Sequence, residues 1–380
     1  MLPILFDSFS IESTSGAKGR IGTISRCKKC KVNEARNAEY TLDLETTVND
    51  PTANSIVSQR IIAAKANPFD PIQHFVIDRT ERNLDGIVKA TAKHVKEFAC
   101  QLVSEGDVGR TDIPTTYNLT PTGVWNKLFA IGGGTPYILD ACPFTFTSNI
   151  TTKANFALGF NSPATLGSIL GGEEGSILDL FSGEYKYDNY SISFLSSRGV
   201  SSKYALRYGQ NISSAKQVED SSKLYTHILP YCSVSRVDGQ YIWLFAPLYE
   251  IPNSECRTKK VFVLDCSDAA EGYQVGMTGQ HWEEVRTAIA SYAKQYATSK
   301  GIGKTDVSIE VTTRSELDAM KQLGLCDTVK VVLDEFGLET TAKITSVTYD
   351  SLMERWDKMT VGTAPVKLSD LILNKRRYNL

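Results

Sequence analysis

The sequence predicts a β-rich α+β protein of several domains, on three observations. Period-2 alternation of apolar and polar residues recurs from Tyr40 to about Thr360, which is the signature of half-buried strands. Asp188-Asn189 and Asp238-Gly239 each sit between alternating runs, and such dipeptides tolerate the positive φ of tight hairpins. Helical periodicity is confined to a few stretches that never interleave with strands in βαβ order, so nothing argues for a parallel doubly wound sheet.

Taken in order, Tyr40, Leu42 and Leu44 alternate with Thr41, Asp43 and Glu45 and mark the first clear strand. Arg60–Lys65 and His74–Ile77 are short apolar runs on either side of a turn-rich NPFDP spacer, and Asp85-Gly86 opens another strand at Ile87–Ala92. Val95, Phe98, Ala99 and Leu102 then fit one helical face, so a first β-domain ends near residue 104. Residues 105–199 form a small α+β domain, entered through a Gly/Pro-bearing linker. Thr120-Pro121 starts a helix with Val124, Trp125, Leu128 and Phe129 on one side, and Gly132–Gly134 end it. The most punctuated stretch follows. Ser162 is the expected N-cap of a short helix with Pro163 at its first turn, closed by Gly171 and Gly172. Ile177, Leu178 and Phe181 suggest a second short helix, closed by Gly183. A hairpin about Asp188-Asn189 then places Tyr187 opposite Tyr190 and Tyr185 opposite Ile192.

Strands dominate again in 200–272 and 303–362, which together make a second β-domain. Tyr225–Ser235 and Gln240–Leu248 flank Asp238-Gly239 as a second hairpin, and Val261–Leu264 adds a strand. The inserted segment 273–302 is helical, with Trp282, Val285, Ile289, Tyr292, Ala293 and Tyr296 on one face, Glu283 and Glu284 in the first turn, and Gly301 as C-cap. A tail, 363–380, carries a short helix at Ser369–Leu373 and the basic end KRRYNL.

Composition limits the function classes. With 41 basic and 43 acidic residues the whole-chain charge does not call for a polyanion partner. The start, MLPILFDSF, is brief, is broken by Pro3 and Asp7, and lacks a basic leader, so it does not read as a signal peptide. No apolar run approaches the ~20 residues of a membrane span. The expectation is a soluble protein made in a cytoplasm, its eight cysteines reduced.

No motif carries chemistry. Cys27-Lys28-Lys29-Cys30 has no second CxxC, and His74, His94, His227 and His281 are far apart. The pair reads as strand or turn cysteines, with a zinc or redox role as the alternative. Gly132-Gly133-Gly134-Thr135 lacks the Gly-Lys-Ser/Thr of a phosphate loop. Glu173-Glu174 and Glu283-Glu284 read as solvated carboxylates, although a hydrolase would need two such groups across a cleft. No catalytic, cofactor or metal residue is assigned.

Several stretches carry a family resemblance: MLPILFD at the start, EARNAEYTLDL (34–44), RIIAAKANP (60–68), CPFTFT (142–147), the Ser162–Ser197 element, RYGQN (207–211), LCDTV (325–329), Ala342-Lys343 and Tyr349-Asp350. In consistent order over nearly the whole chain, they resemble the N-terminal hub region of siphophage tail-associated (Tal, or phage minor structural) proteins. The resemblance implies a baseplate hub with the fold of contractile-tail hubs, built from two tube-like β-barrel domains and smaller inserted α/β domains.

It further implies a homotrimeric structural virion protein at the tail tip, below the hexameric distal tail protein. Such a hub closes the tube, then opens to pass the tape measure protein and phage DNA, with receptor-binding or fibre proteins as further neighbours. No membrane insertion and no cofactor are implied. Many family members continue into a peptidoglycan hydrolase or host-binding part, and this sequence stops at Leu380. A non-enzymatic hub is therefore the expectation, with a cell-wall hydrolase or a carbohydrate-binding baseplate component as alternatives. Tyr185, Tyr187 and Tyr190, taken as exposed on the hairpin, are the candidate interface residues.

Overall fold

Alternation in the sequence becomes alternation in space along most of the chain. A computed structural model describes residues 1–9, 17–106, 116–207, 210, 212–270, 272–276, 279, 281–313, 322–333 and 338–363. The expected helix at Ser369–Leu373 and the basic end lie outside these residues. Two compact units divide the chain: 1–215 with 311–332 and 341–361, and 216–310 with 333–340 and 362–380.

The first unit opens with β1 (Ile4–Phe9), β2 (Ala17–Thr23), β3 (Cys27–Ala35), β4 (Tyr40–Thr47), β5 (Ile61–Lys65), β6 (Ile72–Arg82) and β7 (Ile87–His94). Along β4 the apolar Tyr40, Leu42 and Leu44 are buried while Thr41, Asp43 and Glu45 are half-exposed, because successive side chains leave opposite faces of a strand. Leu5, Cys30, Val32, Ile62, Phe75, Ile77, Val88 and Ala90 complete that core. The helix expected on Val95, Phe98, Ala99 and Leu102 is only α1 (Lys96–Cys100), because β7 runs on to His94 and β8 (Val103–Ser104) follows.

Next come β9 (Tyr117–Leu119), α2 (Pro121–Leu128), β10 (Thr145–Ser148), β11 (Ala154–Phe156), β12 (Ala164–Thr165), α3 (Leu166–Leu170), α4 (Ile177–Phe181), β13 (Glu184–Asp188), β14 (Ser191–Leu195) and β15 (Ser201–Arg207). Thr120 caps α2 as expected, its hydroxyl accepting from Gly123 N at 3.1 Å. Two boundaries differ from the expectation. The first short helix starts at Leu166, not Ser162, because Ala164 and Thr165 pair with β8 and Thr165 supplies the N-cap for Ser168 N at 3.1 Å. α4 ends on Ser182, at φ 52°, before Gly183 is reached. Gly183 instead allows a close approach: a Cβ there would lie 2.5 Å from the Phe194 ring and 2.8 Å from Leu195 O.

The hairpin exists, but its turn is one residue later. Asp188 pairs with Ser191, Tyr187 with Ile192 and Tyr185 with Phe194, so the turn residues are Asn189 and Tyr190. Asn189 takes φ 48°, a conformation asparagine tolerates. The partner strand slips by two residues relative to the expectation, so the face assignment survives.

The chain passes to the second unit within β16 (Ile212–Asp220) and returns within β22 (Asp306–Thr313). That unit holds β17 (His227–Arg236), β18 (Tyr241–Phe245), β19 (Tyr249–Glu250), β20 (Val261–Asp265), β21 (Gln274–Val275) and α5 (Trp282–Lys300). The expected hairpin is present, with Ser235 opposite Tyr241 and Gly239 at φ 81°. One face of this five-stranded sheet, through Ile228, Cys232, Val234, Leu244 and Leu264, packs on Val285, Ile289 and Ala293 of α5. Glu283, Glu284 and the left-handed Gly301 sit at the helix ends as expected.

The first unit is completed by β23 (Thr328–Leu333), β24 (Leu338–Asp350) and β25 (Arg355–Thr363). Its main sheet runs in the order β25-β24-β3-β4-β7-β6-β5-β1-β2, with β23 joining β15 to β24. Most pairs are antiparallel, but β10–β14, β15–β23, β17–β20 and β17–β21 are parallel. The tube-like barrels expected from the resemblance are not found as closed barrels among the described residues: the main sheet ends on β2, whose one partner is β1.

Candidate functional site

The three tyrosines singled out by sequence do not form an exposed surface. Tyr185 is 3 % exposed and Tyr190 7 % exposed, both inside the core built by Trp125, Phe146, Phe156, Phe160, Ile169 and Phe194. Tyr187 is half-buried against the same core. Tyr185 stacks on Tyr187 with centroids 5.7 Å apart, and its hydroxyl donates to Leu170 O at 2.7 Å. The correction has a simple cause. In a small α+β layer the aromatic face of a hairpin is the largest apolar area available, and its own helices cover it.

What the hairpin does present is a polar seam towards the main sheet of the same unit. Asn37 at the β3–β4 turn donates to Gly183 O at 2.9 Å and accepts from Tyr185 N at 2.8 Å. The Asn189 side chain accepts from His74 N and donates to Ile72 O, each at 2.9 Å. Gln73, fully buried, donates to Asp188 Oδ1 at 2.8 Å and accepts from Asn189 N at 2.8 Å. Behind it lies His94, also fully buried and stacked on Tyr40 at 4.4 Å. Its Nδ1 accepts from Lys96 N at 3.2 Å, which leaves Nε2–H to donate to Gln73 Oε1 at 3.1 Å. A second ring proton would point at the Lys96 amide. Burial, then Lys96 and His74, hold His94 well below the usual histidine range.

Five charged groups close the seam. Arg198, half-buried, meets the buried Glu34 at 2.6 Å. Burial alone would lower the guanidinium, but the Glu34 carboxylate outweighs it and raises its pKa. Glu184 is held by Lys343 at 2.7 Å, by Arg36 at 3.6 Å and by Arg198 N at 2.8 Å. Burial pushes its carboxyl up, and these contacts reverse the shift and leave it lowered. Beside the cluster is a cavity of about 270 Å³ whose walls include Phe69, Asp70, Lys186, Arg198, Asp327 and Trp356. Asp70 is bound by Lys186 at 2.8 Å, and Asp327 accepts from Val200 N and Gly324 N, each at 2.8 Å. Each of these carboxylates is engaged by a cation or by backbone amides, so the arrangement can clamp three chain segments together.

The other sequence candidates resolve as structure. Cys27 and Cys30 lie on β3, and all eight cysteines are free thiols. The hydrogen bond with Cys27, and then burial, push the Cys30 thiol well up, the reverse of a reactive thiolate. Among the described residues no group of three or more His, Cys, Asp or Glu is placed to hold a metal ion. No helix among them is long and apolar enough to cross a membrane.

A surface not singled out by sequence lies in the second unit. On β18 the outward residues Tyr241, Trp243 and Phe245 are 74 %, 61 % and 51 % exposed. Tyr231 of β17 lies between Trp243 and Phe245, with centroids 5.5 and 6.3 Å away, and Leu248 and Val263 extend the patch. The signal was present: Tyr-Ile-Trp-Leu-Phe has no polar residue at either parity. A strand apolar on both faces asks for cover on both, and α5 covers only one.

Residues 200–372 match a family model described as Prophage endopeptidase tail. No curated protein matches the chain. Among solved structures, the prophage tail protein gp18 from Listeria monocytogenes EGD-e is similar at a TM-score of 0.58 and 12 % identity, covering 99 % of both chains. The 43 kDa tail protein of prophage MuSo2 from Shewanella oneidensis gives 0.53 at 12 % identity, over 95 % of this chain and 98 % of that one. A tail protein from Neisseria meningitidis MC58 gives 0.52 at 11 % identity, over 95 % and 97 %. From end to end the chain thus has the fold of phage tail proteins, and its later part, 200–372, is similar to the prophage endopeptidase tail family.

Proposed function

We propose that the chain is a structural subunit of a phage tail tip: a hub of the tail-associated type, three copies of which ring the tail axis below the hexameric distal tail protein. The observation that carries this is the near-complete, two-sided match to the fold of prophage tail proteins, 99 % of each chain in one case. The β-rich portions 1–104 and 200–272 with 303–362 would be the tube-like pair, so that three copies present pseudo-sixfold symmetry to the ring above. The small domain at 105–199 and the helical segment 273–302 narrow the exit until host recognition. The tape measure protein and phage DNA then pass, and fibre or receptor-binding proteins attach outside. The clamped carboxylates of the seam support a mechanical role.

Averaged images of tail tips carrying this chain test the reading. Threefold density beneath a sixfold ring is the expected result, and density at the periphery alone would overturn it. A second reading is favoured by one observation, the word endopeptidase in the matching family description. Incubating the chain with purified peptidoglycan should release no muropeptides under the structural reading, and their release would replace it with a cell-wall hydrolase.

A further inference from the structure

The second unit's sheet ends on β18, which among the described residues pairs with β17 alone. In an antiparallel ladder alternate residues turn their N–H and C=O groups towards the partner strand. Arg236 N donates to Gln240 O at 2.7 Å and Ala246 N to Pro230 O at 3.1 Å. The even-numbered residues of β18 therefore face β17, and the backbone groups of Tyr241, Trp243 and Phe245 point out of the sheet. The same three residues carry the exposed aromatic rings. An open edge is ordinarily blunted by lysine, proline or a bulge, because it templates pairing with another chain. Residues Tyr241–Phe245 contain none of these: QYIWLF is uncharged, and the register with β17 is unbroken.

We infer that β18 is a self-pairing edge, joining two copies of this chain by an antiparallel strand contact centred on Trp243. The strand is self-complementary about that residue. A twofold there sets Trp243 against Trp243 of the second copy and Tyr241 against Phe245 of the second copy, both as aromatic cross-strand pairs. No like charges meet. The outward carboxylate of Asp265 on β20 is occupied by the Ser267 hydroxyl at 2.6 Å and the Ser267 amide at 2.9 Å. These contacts, with a further one from Tyr231, hold it below the usual carboxylate range.

Area fits as well. At roughly 150–250 Å² per aromatic side chain, the exposed fractions of the three rings amount to roughly 300–450 Å², and Leu248 and Val263 add to that. A standard interface takes about 800 Å² from each partner, some 65 % of it apolar in homodimers, so the patch supplies most of the apolar part of one dimer contact. A sugar is the poorer occupant, since the open polar groups of the edge are the strand's own N–H and C=O, spaced to pair with another strand. Such a dimer is independent of the hub ring: edge-to-edge pairing is isologous, whereas ring contacts are heterologous.

Sedimentation of the purified chain from 1 to about 100 µM tests it. The expected result is a monomer–dimer equilibrium whose dissociation constant rises at least tenfold in both Trp243→Lys and Trp243→Pro. Proline removes an N–H that points away from β17, so the second variant leaves the internal ladder intact. Hydrogen exchange on the wild type gives a check without mutation: the amides of Tyr241, Trp243 and Phe245 should be protected at high concentration and exchange freely on dilution. A wild type that stays monomeric throughout would overturn the inference. So would a trimer that neither variant weakens, and that outcome would leave the hub reading standing. Loss of association in Trp243→Lys but not in Trp243→Pro, with those amides unprotected, would also overturn it.

Discussion

His94 shows how one side chain's neighbours set a property of the chain. Its ring accepts from one amide and donates to Gln73, so it stays neutral in the fold. Its folded pKa lies well below the usual 6.5, with burial as the leading cause. The stability that follows is present above pH 6.5 and is lost as pH falls towards the folded value, because the unfolded chain takes up the proton first. Each pH unit below 6.5 costs up to about 1.4 kcal/mol. Urea unfolding at pH 8 and pH 5 should show wild type losing up to about 2 kcal/mol over that interval, and His94→Gln losing clearly less. Tyr185 makes a second residue-scale case. Phenylalanine there keeps the packing but orphans the buried Leu170 carbonyl, at a cost of about 1–3 kcal/mol, and alanine should cost about 3–5 kcal/mol. If both variants unfold in urea like wild type, the tyrosine is not a core residue.

At the scale of elements, the hairpin β13–β14 is held by its tightest point and by its charged clamp. Gly183 lets the chain pass the Phe194 ring on its way from α4 into β13. Alanine there would overpack the site by an amount worth about 1–3 kcal/mol, measurable as a lowered Tm. The Arg198–Glu34 pair ties the end of the hairpin unit to β3. Removing only the guanidinium, as in Arg198→Ala, strands a buried carboxylate and should cost about 3–5 kcal/mol. Replacing both partners with apolar residues should recover most of that loss. A double-mutant cycle in urea checks this, and simple additivity would show that the two groups do not act as a pair.

At the scale of the whole molecule, the chain carries separate cores. The apolar cluster of the second unit, from Ile228 to Ile302, contains no residue of the first unit's clusters. Two units with separate cores predict two thermal transitions, with a calorimetric enthalpy exceeding the van't Hoff value in scanning calorimetry. A single cooperative transition would show that the units fold as one.

The sequence by itself determined the local menu. Period-2 runs became strands at β4, β17 and β24, Thr120-Pro121 started α2, and Gly301 ended α5, because each depends on backbone preferences within a few residues. It also carried the resemblance to tail proteins, whose fold the full-length match bears out. Tertiary structure decided which face meets what. Tyr185 and Tyr187 of β13 and Tyr190 of the turn have the alternation of an exposed hairpin and pack into the core, whereas Tyr241, Trp243 and Phe245 have the same alternation and do not. The difference lies in what folds back over each sheet. The hairpin has α3, α4 and the Trp125–Phe146 layer against its ring-bearing face, while α5 reaches only one side of β17 and β18. Period reports that a residue points away from its neighbours, and only the packed chain reports whether anything is there to receive it.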